Sequence, residues 1–133
     1  METFSRKGNT EDLQLQAIEY YNQKEYALAA QTFQKIAQTD QLVDWDFYTG
    51  LCHLYQYKND LAINFFDQVL TSVNKYNIEA HWYISLAYLA KKDFKAAKKH
   101  LTLVSSHSPA STAWKVQEAK DLLSAIEEYE HQQ

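Results

Sequence analysis

An all-helical chain is predicted by three features of the sequence. Only 2 glycines and 1 proline stand among 133 residues, too few for the punctuated turns of a β-sheet protein. Large apolar residues recur at steps of three and four, the spacing that places them on one side of a helix. One order of side-chain volumes also returns along the chain. Tyr26, Ala29, Phe33 and Ile36 run aromatic, small, large and aliphatic; Ala62, Phe66 and Val69 repeat the last three; Phe94, Ala97, Leu101 and Val104 repeat all four. The small residues step from 29 to 62 to 97, intervals of 33 and 35, in the range of stacked supersecondary units.

Seven helices follow, at about 11–23, 26–38, 44–56, 60–73, 78–91, 94–105 and 111–130. The first, third and fifth carry matching small-then-aromatic sets: Ala17 with Tyr20, Gly50 with His53, and Ser85 with Tyr88. The second, fourth and sixth carry the volume order already described. A small side chain on each member of a pair lets the two helices approach closely, and large residues fill the remaining space. The seventh stands outside the pairs. Ser108-Pro109 reads as its start signal, and Trp114, Ala119, Leu122, Leu123 and Ile126 form an apolar stripe that would cover the last naked face of the stack.

These residues resemble the tetratricopeptide repeat (TPR) family, whose helix-turn-helix unit has small, aromatic, Ala, Phe and Pro positions. The third copy, "HWYISLAYLAKKDFKAAKKHLTLVSSHSP", matches best, with Trp82, Ser85, Tyr88, the Lys92-Asp93-Phe94 turn, Ala97 and Pro109. The first lacks the opening Trp and the closing Pro. The second has His53 in the aromatic position and the polar turn Lys58-Asn59-Asp60. The resemblance implies a right-handed α-α superhelix of three TPR hairpins plus a capping helix. Its expected layout is a flexible polar tail at 1–9, one domain over 10–130, repeats at about 10–42, 43–76 and 77–110, and a cap at about 111–130.

In this family the first helix of each pair lines a concave surface that commonly receives a peptide or a partner's helix. Carried over, the lining is Gln14, Ile18, Tyr21 and Asn22, then Phe47, Leu51, Leu54 and Tyr55, then Trp82, Leu86 and Leu89. The family's carboxylate-gripping groove uses Lys, Asn and Arg. Here Gln14, Ile18, Tyr48, Glu79 and Tyr83 stand in those places, so no such clamp is expected. The apolar wall has two readings: an anchor surface for an extended or helical segment of a protein partner, or a face covered by the cap, the tail or a second copy in a homodimer.

No reaction centre is legible. Cys52 and His53 are adjacent, and neighbours on a helix point about 100 degrees apart, so they do not form a nucleophile and base. As the single cysteine, Cys52 also excludes an intramolecular disulfide. Glu128 and His131 supply one Glu-x-x-His where a two-metal bundle needs two, and Gly8 and Gly50 make no phosphate loop. Asp44, Asp46 and Asp67 are not ordered as acid and base. A net charge of -4 argues against a nucleic-acid surface, and Lys91, Lys92, Lys95, Lys98 and Lys99 read as the solvated side of one helix. No segment holds the roughly 18 apolar residues of a membrane span. The expected function is a non-catalytic protein-protein interaction scaffold with no cofactor. The alternative is a structural, assembly or oligomerisation domain of a larger, membrane-anchored bacterial protein, with cytoplasmic and periplasmic locations both open.

Overall fold

The computed structural model describes the backbone of residues 2–133 and the side chains of residues 10–133. It is an all-α helical-repeat fold of α1 (Glu2–Asn22), α2 (Tyr26–Thr39), α3 (Val43–Tyr55), α4 (Asn59–Val69), α5 (Asn77–Ala90), α6 (Phe94–Ser105) and α7 (Val116–His131), with no strand among the described residues. The backbone of α1 begins well before the expected start near 11. The expected flexible tail at 1–9 lies outside the residues whose side chains are described. The helices group into two compact units, Met1–Val69 and Leu70–Gln133. In the first, α1 packs on α2, α2 on α3 and α3 on α4; in the second, α5 packs on α6 and α6 on α7.

The three turns inside the predicted pairs share one backbone design. Lys24, Tyr57 and Lys92 are left-handed, at φ 62°, 62° and 61°. Their positions step by 33 and 35, in register with the small residues. Around each, two hydrogen bonds close the end of the first helix: Glu25 N–H to Tyr20 O (2.8 Å) with Lys24 N–H to Tyr21 O (3.0 Å), then Lys58 to His53 with Tyr57 to Leu54, then Asp93 to Tyr88 with Lys92 to Leu89. This is the Schellman arrangement, which satisfies carbonyls that a helix end would otherwise leave open. The next residue along, Glu25, Lys58 or Asp93, then caps the second helix. Its carbonyl accepts from the N–H of Ala29 (2.9 Å), Ala62 (3.0 Å) or Ala97 (3.1 Å), so the small residue sits in the first closed turn. Among these caps Asp93 also contributes its side chain, accepting from Ala96 N–H at 3.2 Å.

The repeated volumes form the core. Ala29, Ala62 and Ala97 are fully buried, as are Ile36, Val69 and Val104, while Phe33, Phe66 and Leu101 fill the large positions. Opposite them, Ala17 and Ser85 are fully buried, and the Ser85 hydroxyl donates to Trp82 O within its own helix. Gly50 shows why this position must be small. A Cβ added there would lie 2.8 Å from Cε1 of Phe66, inside van der Waals contact. His53, in the aromatic position, behaves as a ring, stacking on Phe65 at 5.3 Å and 27°.

Two further helix boundaries differ from expectation. α4 ends at Val69 rather than near 73, because the Asn74 side chain accepts from Tyr76 N–H (2.8 Å) and donates to Ser72 O (3.1 Å), holding a turn there. α7 starts at Val116 rather than near 111. Lys115 is left-handed at φ 60°, and the Ala113 and Val116 amides close single turns to Ala110 and Ala113. Trp114 therefore precedes α7 and does not join its apolar stripe, and Pro109 lies in the connecting loop rather than opening a helix. Ala119 and Ile126 do face inward, with Leu122 and Leu123 packed beside them.

Gly50→Ala is expected to lower unfolding free energy by about 1–3 kcal/mol through overpacking against Phe66, measured by urea denaturation; an unchanged midpoint would contradict the close approach. Lys58→Asp, which gives α4 the side-chain cap that α6 has, should raise it by about 1 kcal/mol in the same assay.

Candidate functional site

Within the first unit, α1, α2 and α3 enclose a cleft of about 380 Å³ lined by Ile18, Tyr21, Phe33, Asp44, Trp45 and Tyr48. The size suits a few side chains of a ligand, and the lining is mainly aromatic and aliphatic. Its floor is built by stacking: Phe33 of α2 lies against Trp45 at 6.1 Å and 19°, and against Tyr48 at 5.5 Å and 24°, both from α3. The rim comes from α1. Ile18 is 50% exposed, and Leu15, one turn earlier on the same face, is 68% exposed. A water-facing aliphatic pair beside an aromatic cleft forms a continuous apolar surface of the kind that marks contact sites.

A three-tyrosine cluster borders the cleft. Tyr21, Tyr26 and Tyr55 come from three different helices, with centroid distances of 5.6 Å (Tyr21–Tyr26), 6.3 Å (Tyr21–Tyr55) and 5.0 Å (Tyr26–Tyr55). Burial, then the Tyr55 phenol, push the Tyr21 hydroxyl well above the ordinary tyrosine range, so it stays neutral. Burial likewise raises the Asp46 carboxyl. The Trp45 Nε1 is buried without a hydrogen-bond partner.

The residues expected to line the groove divide by environment. Ile18, Asn22 and Tyr55 are exposed, and Tyr21 and Leu54 are half-buried. Phe47 and Leu51 are buried, and Phe47, edge-on to Phe66 at 5.8 Å, serves the α3–α4 packing. In the second unit Trp82 is only 8% exposed and packs with Ala97, Leu101, Val104, Ala119 and Ile126, while Leu86 and Leu89 pack against the same cluster. The loop before α7 adds the Trp114 ring, edge-on at 6.3 Å, and the Lys115 ammonium, 5.2 Å from the Trp82 centroid. The family-based lining missed Trp45 and Phe33. The i, i+3 pair Trp45 and Tyr48 on one face of α3 was the available signal.

Cys52 and His53 are shielded by burial. Cys52 is fully buried, and burial pushes its thiol up to about 12, which suppresses the nucleophilic thiolate. His53 is held below the ordinary imidazole range by burial and then by Lys58, and its Nδ1 is buried and unpartnered. Among the described residues, no group of three or more His, Cys, Asp or Glu is placed to hold a metal ion. Glu128 and His131 are exposed at the end of α7. Of the lysines in the run 91–99, Lys98 pairs with Glu130 of α7 at 2.7 Å. No described helix is long and apolar enough to cross a membrane.

No family model and no curated protein matches the chain. Its fold is similar to that of the type III secretion translocator chaperone SycD of Yersinia enterocolitica. One SycD structure matches with a TM-score of 0.79 over 94% of this chain and 88% of that one, at 19% identity. A structure of SycD as an alternative dimer matches with a TM-score of 0.78, and SycD in complex with a peptide of the translocator YopD with 0.79, each over 92% of this chain and 95% of the other, at 19% identity. At that identity the likeness establishes the helical-repeat fold.

Proposed function

We propose that this chain is a non-catalytic protein-protein interaction scaffold of tetratricopeptide type, which takes an extended or helical segment of a protein partner at the apolar cleft of its first unit. The observation that carries the reading is the aromatic cleft of Phe33, Trp45 and Tyr48 open beside the exposed Leu15 and Ile18. Such a surface is wetted only at a free-energy cost, and large apolar side chains of a partner would relieve it. The likeness to SycD, a chaperone solved with a translocator peptide, supports the same reading. Tyr21, Asn22, Leu54 and Tyr55 border that surface in this proposal. Phe47 and Leu51 back it from the core, and Trp82, Leu86 and Leu89 hold the second unit together. The burial of Cys52, which keeps its thiol protonated, supports a role without catalysis.

The second reading, assembly through a second copy, is favoured by the same exposed Leu15 and Ile18 pair, and one variant separates the two. Ile18→Lys places a charge on the rim of the cleft without touching the buried volumes. With the purified full chain and immobilised peptides of about ten residues bearing two large apolar side chains, binding should weaken about 30-fold, the scale of a lost hot spot, at an unchanged thermal midpoint. A dimer that dissociates in sedimentation while peptide binding persists would transfer the surface to assembly. Trp82→Ala should instead lower unfolding free energy by about 3–5 kcal/mol, read by urea denaturation, because the ring is core.

A further inference from the structure

His81 of α5 and His100 of α6 meet through their Nδ1 atoms at 2.9 Å. The ring centroids lie 5.1 Å apart with planes inclined by 35°. That separation is close to the largest that so short a nitrogen contact permits, so the two nitrogens point at each other along one line. Rings that shared a metal ion would converge on a third point and bring their centroids nearer. The arrangement suits one proton held between two nitrogens, donated by one imidazole and accepted by the other's lone pair. A second proton would set two N–H groups and two positive charges face to face at hydrogen-bond distance, which the contact cannot survive.

Around His100 stand a phenol ring and the ammonium groups of lysines. Tyr88 of α5 stacks on the His100 ring at 5.9 Å and 18°, and Lys91, just past the end of α5, holds its ammonium 5.8 Å from the Tyr88 centroid. Lys99 adjoins His100 on α6. From α7, packed on α6, Glu130 is engaged by Lys98, on the side of α6 away from His100. Burial first, then His81 and Lys99, hold His100 down to about 4.

We propose that the His81–His100 pair is an acid-sensitive latch on the α5–α6 hairpin, closed while the two rings share one proton and opened when each carries its own. Ser85, Trp82 and Leu101 lie on the same two helices, so opening loosens the core of the second unit. The latch stands independently of the binding reading. Because the folded state binds the extra proton less readily than the unfolded chain, its contribution is complete above the ordinary imidazole value of 6.5 and fades as pH falls toward about 4.

The test uses the full chain and His100→Phe, which keeps a ring on Tyr88 and removes the titration. Thermal midpoints are recorded from pH 7.5 to 4, and the histidine nitrogens of the wild type are titrated by NMR. Acidification should lower the wild-type midpoint more than that of His100→Phe, and His81 and His100 should titrate as a coupled pair, one far below the other. Equal pH slopes in the two proteins would overturn the latch. So would independent titration of both rings in the ordinary range, which decides the matter even if His100→Phe does not fold.

Discussion

Every helix pair in this protein depends on how closely two backbones can approach. At Gly50 the ring of Phe66 lies so near the α3 backbone that a single methyl group would collide with it. Ala17 and Ser85 hold the equivalent places in the first and third pairs with no exposed surface. Close approach brings large side chains into full dispersion contact on both sides of the seam, and a cavity or an extra carbon there is felt at once. The turns serve the same end. A left-handed residue at 24, 57 and 92 reverses the chain within three residues, and the next residue's carbonyl receives the amide of the small residue itself. Turn geometry and seam geometry are thus joined through one peptide group.

None of these three left-handed positions is a glycine, although side chains disfavour that conformation by roughly 1 kcal/mol. Two hydrogen bonds in each turn and the seam beyond it offset the cost. Lys and Tyr at these positions leave their long side chains in water; Tyr57 is 86% exposed.

The two units use their aromatic residues differently. In the first, Phe33, Trp45 and Tyr48 stack into the floor of an open cleft, and three tyrosines gather beside it. In the second, Trp82 is enclosed by α6, α7 and the Trp114–Lys115 loop, so a residue type that makes a strong anchor becomes a packing residue. The difference comes from α7, whose Ala119 and Ile126 cover a face that a following repeat would otherwise cover. The paired histidines lie on α5 and α6, within the second unit.

Periodicity sufficed for the helices, their pairing and the buried small and large positions, because each is a local property: side chains three and four residues apart share a face, whatever lies opposite. The groove lining came from the family resemblance; of its residues Ile18 and Tyr21 line the cleft, and Tyr55 packs beside Tyr21. That resemblance did not separate Tyr55, which meets water, from the buried Phe47 and Leu51, because a groove residue and a seam residue on one helix differ by a fraction of a turn. The late start of α7, the enclosure of Trp82 and the meeting of His81 with His100 were decided only in three dimensions. Each depends on a left-handed residue or on a partner about 19 or more positions away, and contacts over such distances leave no period in the chain.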